Sequence, residues 1–351
     1  MSFEIVHKLR KFFEGLPREH QGYSLDYIPS PYDPRDYKYS LLIGAEADEP
    51  VTLIDYRPDL PPVFDQGQRG SCVACASAWT LKAYEELKQG DYPKDGLSAA
   101  FLYSMCKQND GMPSEEGTQP KTAMQVLKKY GICPEDIMPY STLTDLAAPQ
   151  VPAVSATAIG AAVDFKIETY AQLCSAYDLG RSQLLSAMRQ ALKNEGPFLM
   201  ALVVCENFEP DENNRLPVPE GLVRGGHAVG IAGDLPDQEC LILRNSWGSG
   251  WGDNGYAYLP YEWLTAIGYW GWSIFEAWTA TDIKTTERAG QIIITPGLKY
   301  IMVDGKRVTI NQSSIVKNGS TLMGPVMEIA QNMGYKAEWD GHKLLLSQKI
   351  Y

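Results

Sequence analysis

The hydrophobic period of this chain changes at Gly196-Pro197, and that change constrains its fold more than any other feature. Before it, apolar residues recur at helical spacing. SCVACASAWTLKAYEELK, residues 71–88, places Ala76, Trp79, Ala83 and Leu87 along one side of a predicted helix, with Ser71 as its N-cap. Further helices are predicted over 122–130, stopping at Gly131, and over 181–194. After the change come short β-rich runs broken by Gly, Asn, Asp and Pro: FLMALVVCENF, GHAVGIAGD, CLILRNSW and GYAYLP. A helical half followed by a strand-rich half is an α+β pattern, and the cleft between two such halves is a natural place for a site.

Segments on either side of this body read differently. Residues 1–50 begin with a short amphipathic helix over 8–14, with Leu9, Phe12 and Phe13 on one side, and continue into YSLDYIPSPYDPRDY. Pro29, Pro31 and Pro34 exclude regular structure there, and the tyrosines favour an extended path along a groove. The segment reads either as a brace or as a cleft-covering, pro-like piece that can be cleaved. Near Glu287 the pattern restarts: three short strand candidates with turns at Asp304-Gly305 and Asn318-Gly319, a helix candidate GPVMEIAQNMG, and a hairpin around Asp340-Gly341. The expected organisation is therefore residues 1–50, a main domain over 51–286, and a small α/β domain over 287–351.

Composition narrows the functional classes. At 351 residues the chain exceeds what one core usually holds. A net charge of −12 argues against non-specific binding to nucleic acid or anionic lipid. No apolar run reaches the roughly 18 residues needed to span a bilayer. The N-terminus has no apolar block of a secretory signal, so a cytoplasmic location is expected, with an extracellular or cell-surface one as the alternative. Seven scattered cysteines leave at least one unpaired, and reduced, mostly buried thiols are expected. GSGWGDNG is followed by a strand rather than a helix, so it is no phosphate loop, and neither cofactor nor metal is expected.

One thiol stands apart. Cys72 opens the predicted helix behind the turn GQRG, where unpaired amides and the helix dipole favour a thiolate. Gly67 and Gly70 let the backbone turn tightly and leave room for a substrate, and Gln66 can donate to a developing oxyanion alongside the Cys72 amide. Of four histidines, only His227 lies in the strand-rich half, flanked by small residues. Asn245 can orient its ring without competing for its proton, with Trp247 shielding that bond from water. Cys75, one turn on, lacks the second ligand pair of a zinc site and the βαβ context of a redox motif, and reads as buried filler.

Taken together, DQGQRGSCVACASAW, GPFLMALVV, GGHAVGIAGD and LILRNSWGSGWGDNGYAYL resemble the papain-like cysteine peptidases across roughly residues 60–265. His227 follows Cys72 by 155 residues and Asn245 by 173, a little more than that family's usual spacing of about 130–150. The resemblance implies a two-lobe fold, with a helical left lobe carrying the thiol and a β-barrel-like right lobe carrying His and Asn. It implies Cys72 as nucleophile, His227 as base and then acid, Asn245 as orienter, Gln66 in the oxyanion hole and Trp247 over the Asn–His bond. Gly70, Ser71, Gly117, Thr118 and Gly226 would line the substrate groove. Two departures stand out: Arg69 replaces a cysteine that in many members forms a disulfide across the lobe, and Val73 replaces a tryptophan. Loss of the disulfide fits a prokaryotic or intracellular member, and DGMPSEEGTQPKTAMQVLKKYGICPEDIMPY resembles the bacterial branch. Residues 287–351 resemble the small domain at the N-terminus of copper amine oxidases, which implies a protein- or wall-interaction module; His342 alone cannot hold copper. The expected activity is peptide-bond hydrolysis, most readily as an endopeptidase. A peptidase-fold scaffold silenced by its N-terminal segment and an acyl transferase using the same groups are the alternatives.

Overall fold

The strands of the strand-rich half join two short strands from the first half, Ile54–Asp55 and Thr169–Cys174, in one seven-stranded antiparallel sheet. The computed structural model describes residues 11–12, 15–39, 52–178, 181–268 and 271–281, together with five strands nearer the C-terminus. In chain order the sheet strands are β1 (Ile54–Asp55), β2 (Thr169–Cys174), β3 (Phe198–Cys205), β4 (Val223–Leu235), β5 (Cys240–Arg244), β6 (Tyr256–Pro260) and β7 (Ile274–Thr281). Their spatial order is β2-β7-β3-β4-β5-β6, and β1 pairs with the far end of β4. The order has two free ends, so the barrel-like lobe is an open sheet bent by register shifts at Val204/Cys205, Ile231/Gly233 and Ile274/Glu276, not a closed barrel. β3 is buried at every position and β4 at all but Arg224. Both faces are covered, which is why these runs are continuously apolar rather than alternating.

The helical half packs against this sheet. Helix α1 (Cys72–Ala76) passes through a π-helical stretch (Ser77–Lys82) into α2 (Ala83–Gln89), where the sequence predicts one regular helix. The wider turn begins at Ser77, whose hydroxyl donates back to the Val73 carbonyl at 2.7 Å. Ser71 holds the N-cap position, but its side chain makes no capping bond. The buried stripe ends before Leu87, which is 38% exposed. Further helices are α3 (Ala99–Asn109), α4 (Pro120–Lys129) and α5 (Leu184–Asn194). The π-helical stretch crosses β4 at Gly230, where a Cβ would run into the Thr80 side chain. The turn after α4 carries Glu135, whose Oε1 accepts the Tyr140 amide at 2.5 Å. Burial lifts its carboxyl pKa to about 7. All seven cysteines are free and buried.

The chain forms two compact units, Met1–Ile283 and Lys284–Tyr351. In the second, β8 (Ile292–Ile293), β9 (Tyr300–Val303) and β10 (Lys306–Thr309) form an antiparallel sheet, while β11 (Tyr335–Trp339) and β12 (Leu344–Lys349) form a hairpin. The predicted helix GPVMEIAQNMG, the three predicted turns and His342 lie outside the described residues. Among the described residues no helix is long and apolar enough to cross a membrane.

Two measurements check this packing. Gly230→Ala is expected to destabilise the chain by about 1–3 kcal/mol in denaturant titration, because helix and strand must separate. Gly160→Ala, in the helix Ala156–Ala162 where a Cβ meets nothing, is the control and is expected to stabilise by about 0.5–1 kcal/mol. Glu135 has its folded pKa raised from 4.5 to about 7, so its contribution is present below pH 4.5 and lost as pH rises through 7. Glu135→Gln keeps the acceptor for Tyr140 and is expected to flatten the fall of the melting temperature between about pH 4.5 and about pH 7.

Candidate active site

Strand β4 delivers His227 to the interior with 0% of its surface exposed. Its Nε2 lies 2.8 Å from Asn245 Oδ1, and that oxygen also accepts the Ser246 amide at 2.8 Å. An oxygen already accepting one N–H can only accept the second, so Nε2 carries the ring proton and Nδ1 keeps a lone pair. Nδ1 has no hydrogen-bond partner. Trp247 stacks on the imidazole at 4.8 Å and 29°. It is in turn packed edge-on by Phe208 and Trp251, so the Asn–His bond is sealed from water. Burial, aided by His20, pushes the imidazole pKa down to about 4 against the opposing Asn245 bond.

The next residue on β4 ties this ring to the helix. The Ala228 amide reaches the Cys72 sulfur, as do the amides of Val73 and Cys72 itself. The thiol at the start of α1 and the imidazole on β4, 155 residues apart in sequence, are thus brought together. Burial, reinforced by the Asp26 carboxylate, still pushes the thiol up to about 12, so this arrangement holds a thiol beside a neutral ring.

Gln66 is fixed at both ends. Its Oε1 accepts from Ser246 Oγ at 2.5 Å, and its Nε2 donates to the Arg69 carbonyl at 3.0 Å and the Ser24 carbonyl at 3.4 Å. Arg69, where many relatives carry a half-cystine, is buried. It pairs with Glu116 at 2.8 Å and donates to the carbonyls of Leu143, Leu146 and Gln150 at 2.5, 3.0 and 2.8 Å. Tyr140, which no sequence signal singled out, donates to the Gln66 carbonyl at 3.0 Å and meets Ser71 Oγ at 2.5 Å. Cys75 sits 3.7 Å from the same hydroxyl, its thiol pushed up to about 12 by burial, as inert filler should be.

Residues 18–30 lie along the groove over this site. Tyr23 stacks flat on Trp247 at 4.7 Å and donates to its carbonyl at 3.0 Å. Tyr27 and Ile28 donate main-chain bonds to Gly226 and Thr118, each at 3.2 Å. Arg18 pairs with Asp26 at 2.7 Å. Asp26 fills the space left by Gly70 and Gly117, where added Cβ atoms would strike it. Gly70, Gly117, Thr118 and Gly226 therefore all touch this segment, whereas the Ser71 side chain turns inward to Tyr140 and Cys75. Sequence reasoning allowed a groove-lying path for the tyrosine-rich stretch but did not single out Asp26, Tyr23 or Tyr27.

Comparison with known proteins agrees with this geometry. The papain family cysteine protease model matches residues 52–264, and the copper amine oxidase N-terminal domain model matches residues 252–347. The first part of that second match, through β7, belongs to the large sheet. The chain is 29% identical over 207 residues to a peptidase C1-like protein of Acanthamoeba polyphaga mimivirus, covering 57% of this chain and 65% of that protein. It is 27% identical to cathepsin B-like CP2 of Giardia intestinalis, covering 69% and 81%. Among solved structures, xylellain, a cysteine protease from Xylella fastidiosa, superposes with a TM-score of 0.62 at 26% identity over 76% of this chain and 98% of that one. With the family match running through the helix that bears Cys72, the strand that bears His227 and the turn after β5 that bears Asn245, this chain belongs to the papain family of cysteine proteases.

Proposed function

We propose that this chain is a cysteine peptidase that cuts peptide bonds through a thioester on Cys72, and that residues 18–30 hold it latent. The observation that carries the reading is the 2.8 Å bond from His227 Nε2 to Asn245, which leaves Nδ1 free to act as a base, one residue along β4 from the Ala228 amide that reaches the Cys72 sulfur. With the groove open, Nδ1 takes the thiol proton and the thiolate attacks the scissile carbonyl carbon. The Gln66 Nε2 and the Cys72 amide receive the oxyanion; Nε2 already points at a peptide carbonyl, that of Ser24. Collapse breaks the C–N bond, and the amine leaves with the proton from Nδ1. Water, deprotonated by the same nitrogen, then attacks the thioester, releasing the acid and returning the proton to sulfur. Asn245 and Trp247 position the ring and touch no substrate in this scheme. The copper amine oxidase-type match supports reading residues 287–351 as an interaction module.

Latency follows from the electrostatics of the covered state. Removing Asp26 and admitting water lowers the thiol pKa and raises that of the imidazole, which favours the thiolate–imidazolium pair. A scaffold with a permanently silent site would show neither activity nor gain on loosening the segment.

Cys72→Ala is expected to abolish peptide hydrolysis, and Asn245→Ala to lower kcat by about 10²-fold or more with the fold intact by circular dichroism. Hydrolysis that survives Cys72→Ala would remove the thioester mechanism. Tyr23→Ala, which deletes the stack on Trp247 and the bond to its carbonyl, is expected to raise full-chain hydrolysis and epoxide labelling of Cys72 by about tenfold. Unchanged rates of both would show that the segment does not restrain the site.

A further inference from the structure

Beside the turn that carries Gln66 lies a cavity of about 90 Å³. Phe64, Trp79 and Tyr140 supply aromatic walls, and Asp65, Asp95 and Glu135 supply carboxylates. Phe64 and Trp79 are 5.1 Å apart at 44°, and Trp79 meets Tyr140 edge-on at 5.2 Å and 67°. The Trp79 indole is fixed by its bond to the Leu97 carbonyl at 3.2 Å, and Tyr140 by its bonds to Gln66 and Ser71. Phe64, Asp65 and Asp95 are exposed and form the mouth, while Trp79 is buried.

Glu135 is only half satisfied. Its Oε1 accepts the Tyr140 amide, whereas Oε2 is buried and has no hydrogen-bond partner. Burial is what lifts this carboxyl to about 7 against the opposing Tyr140 bond, and the Asp136 carboxylate adds to the rise. A buried carboxylate oxygen without a donor is costly, and a cation brought to it removes that cost. Aromatic walls beside the carboxylate suit an organic cation, because the rings attract an ammonium group and its methylenes pack on them. Among the described residues no three acidic, histidine or cysteine side chains are arranged to hold a metal ion. The volume is that of about three water molecules, which is room for an ammonium group and two or three methylenes.

We propose that this cavity binds a primary ammonium group on an alkyl stem, with the ammonium donating to Glu135 Oε2, the stem against Phe64 and Trp79, and Asp65 and Asp95 at the mouth where the stem emerges. A free polyamine and a lysine side chain of a partner both present this group. No wall of the cavity belongs to the thiol–imidazole pair or to the segment over the groove, so the binding stands apart from the peptidase reading.

The test is a calorimetric titration of the full chain at pH 8, where Glu135 is mostly ionised, with pentane-1,5-diammonium up to about 10 mM, a range so small a ligand can reach. One saturable site is expected, and the uncharged isostere 1,5-pentanediol is expected to bind about tenfold more weakly or worse. Glu135→Gln is expected to weaken diammonium binding by about tenfold or more. Glu220→Gln, which removes the same charge from an exposed position, is expected to leave it within about twofold. Should Glu135→Gln fail to fold, the diol comparison on the unaltered chain decides, together with Phe64→Ala at the mouth, which is expected to weaken binding severalfold. Nα-acetyl-lysine methylamide separates the two sources: binding at least as tight as the diammonium assigns the site to a partner's lysine, and weaker binding assigns it to a free polyamine. No saturation with either cation, equal binding of the diol, or an equal loss in the two glutamate variants overturns the proposal.

Discussion

How closely the first helix approaches β4 governs the rest of this structure. The two elements can meet only because Gly230 presents no side chain to Thr80. That contact lets the Ala228 amide reach the Cys72 sulfur two residues back along the strand, beside His227. Three amides then face one sulfur in a site where burial alone strongly disfavours a negative charge. Steps that need near-attack geometry are sensitive to displacements of about 1 Å, so the separation of helix and strand bears directly on any chemistry at this sulfur. Cys72 and His227 thus share a single packing constraint, set at Gly230.

A second constraint works from the other side of the thiol. Gln66 can serve a developing oxyanion only if its amide cannot swing away, and it is held by Ser246 from the sheet and the Arg69 carbonyl from the turn. Arg69 itself ties that turn to Glu116 and to three carbonyls spread over residues 143–150. A guanidinium suits this task because it offers five donors in a fixed plane; a lysine has three on a mobile stem. Where many relatives close the same region with a disulfide, this chain uses a buried charge with its counter-charge, and all seven of its thiols stay free. Such a network holds without an oxidising environment, but it depends on both partners being present.

The parts of this structure that are legible in the sequence are those whose signal is local or fixed by chemistry. The thiol behind a glycine turn, the one histidine in the strand-rich half and the asparagine after it are residue types with few other uses in that pattern; in the structure His227 bonds Asn245, and the Ala228 amide next to His227 reaches the Cys72 sulfur. The β3 and β4 runs are legible because continuous apolar residues between turn signals mark a strand covered on both faces. Helix α3 was missed: AAFLYSMCKQN is apolar nearly all round because it is buried on most sides, and no amphipathic period remains to be seen. β2 and β7 lack turn punctuation and alternation, and neither is among the strands predicted from the sequence. The π-helical stretch depends on a tertiary fit against β4, and Tyr140 acquires its role only through contacts with Gln66 and Ser71, 74 and 69 residues away. No periodicity encodes either.

The latency proposed above requires no large interface. The segment over the groove uses main-chain bonds to Gly226 and Thr118, one aromatic stack, one ion pair and one buried phenol. As a separate peptide these contacts would bind modestly, because ordering an extended chain costs about 1–2 kcal/mol per residue. Within the same chain the cost of bringing two molecules together disappears, and the effective concentration is on the order of millimolar. Occupancy then stays high although no single contact is strong. A cut between the segment and the main domain would turn the same contacts into a bimolecular equilibrium. At micromolar protein, occupancy would fall by orders of magnitude with every contact intact, because what is lost is the tether rather than the fit.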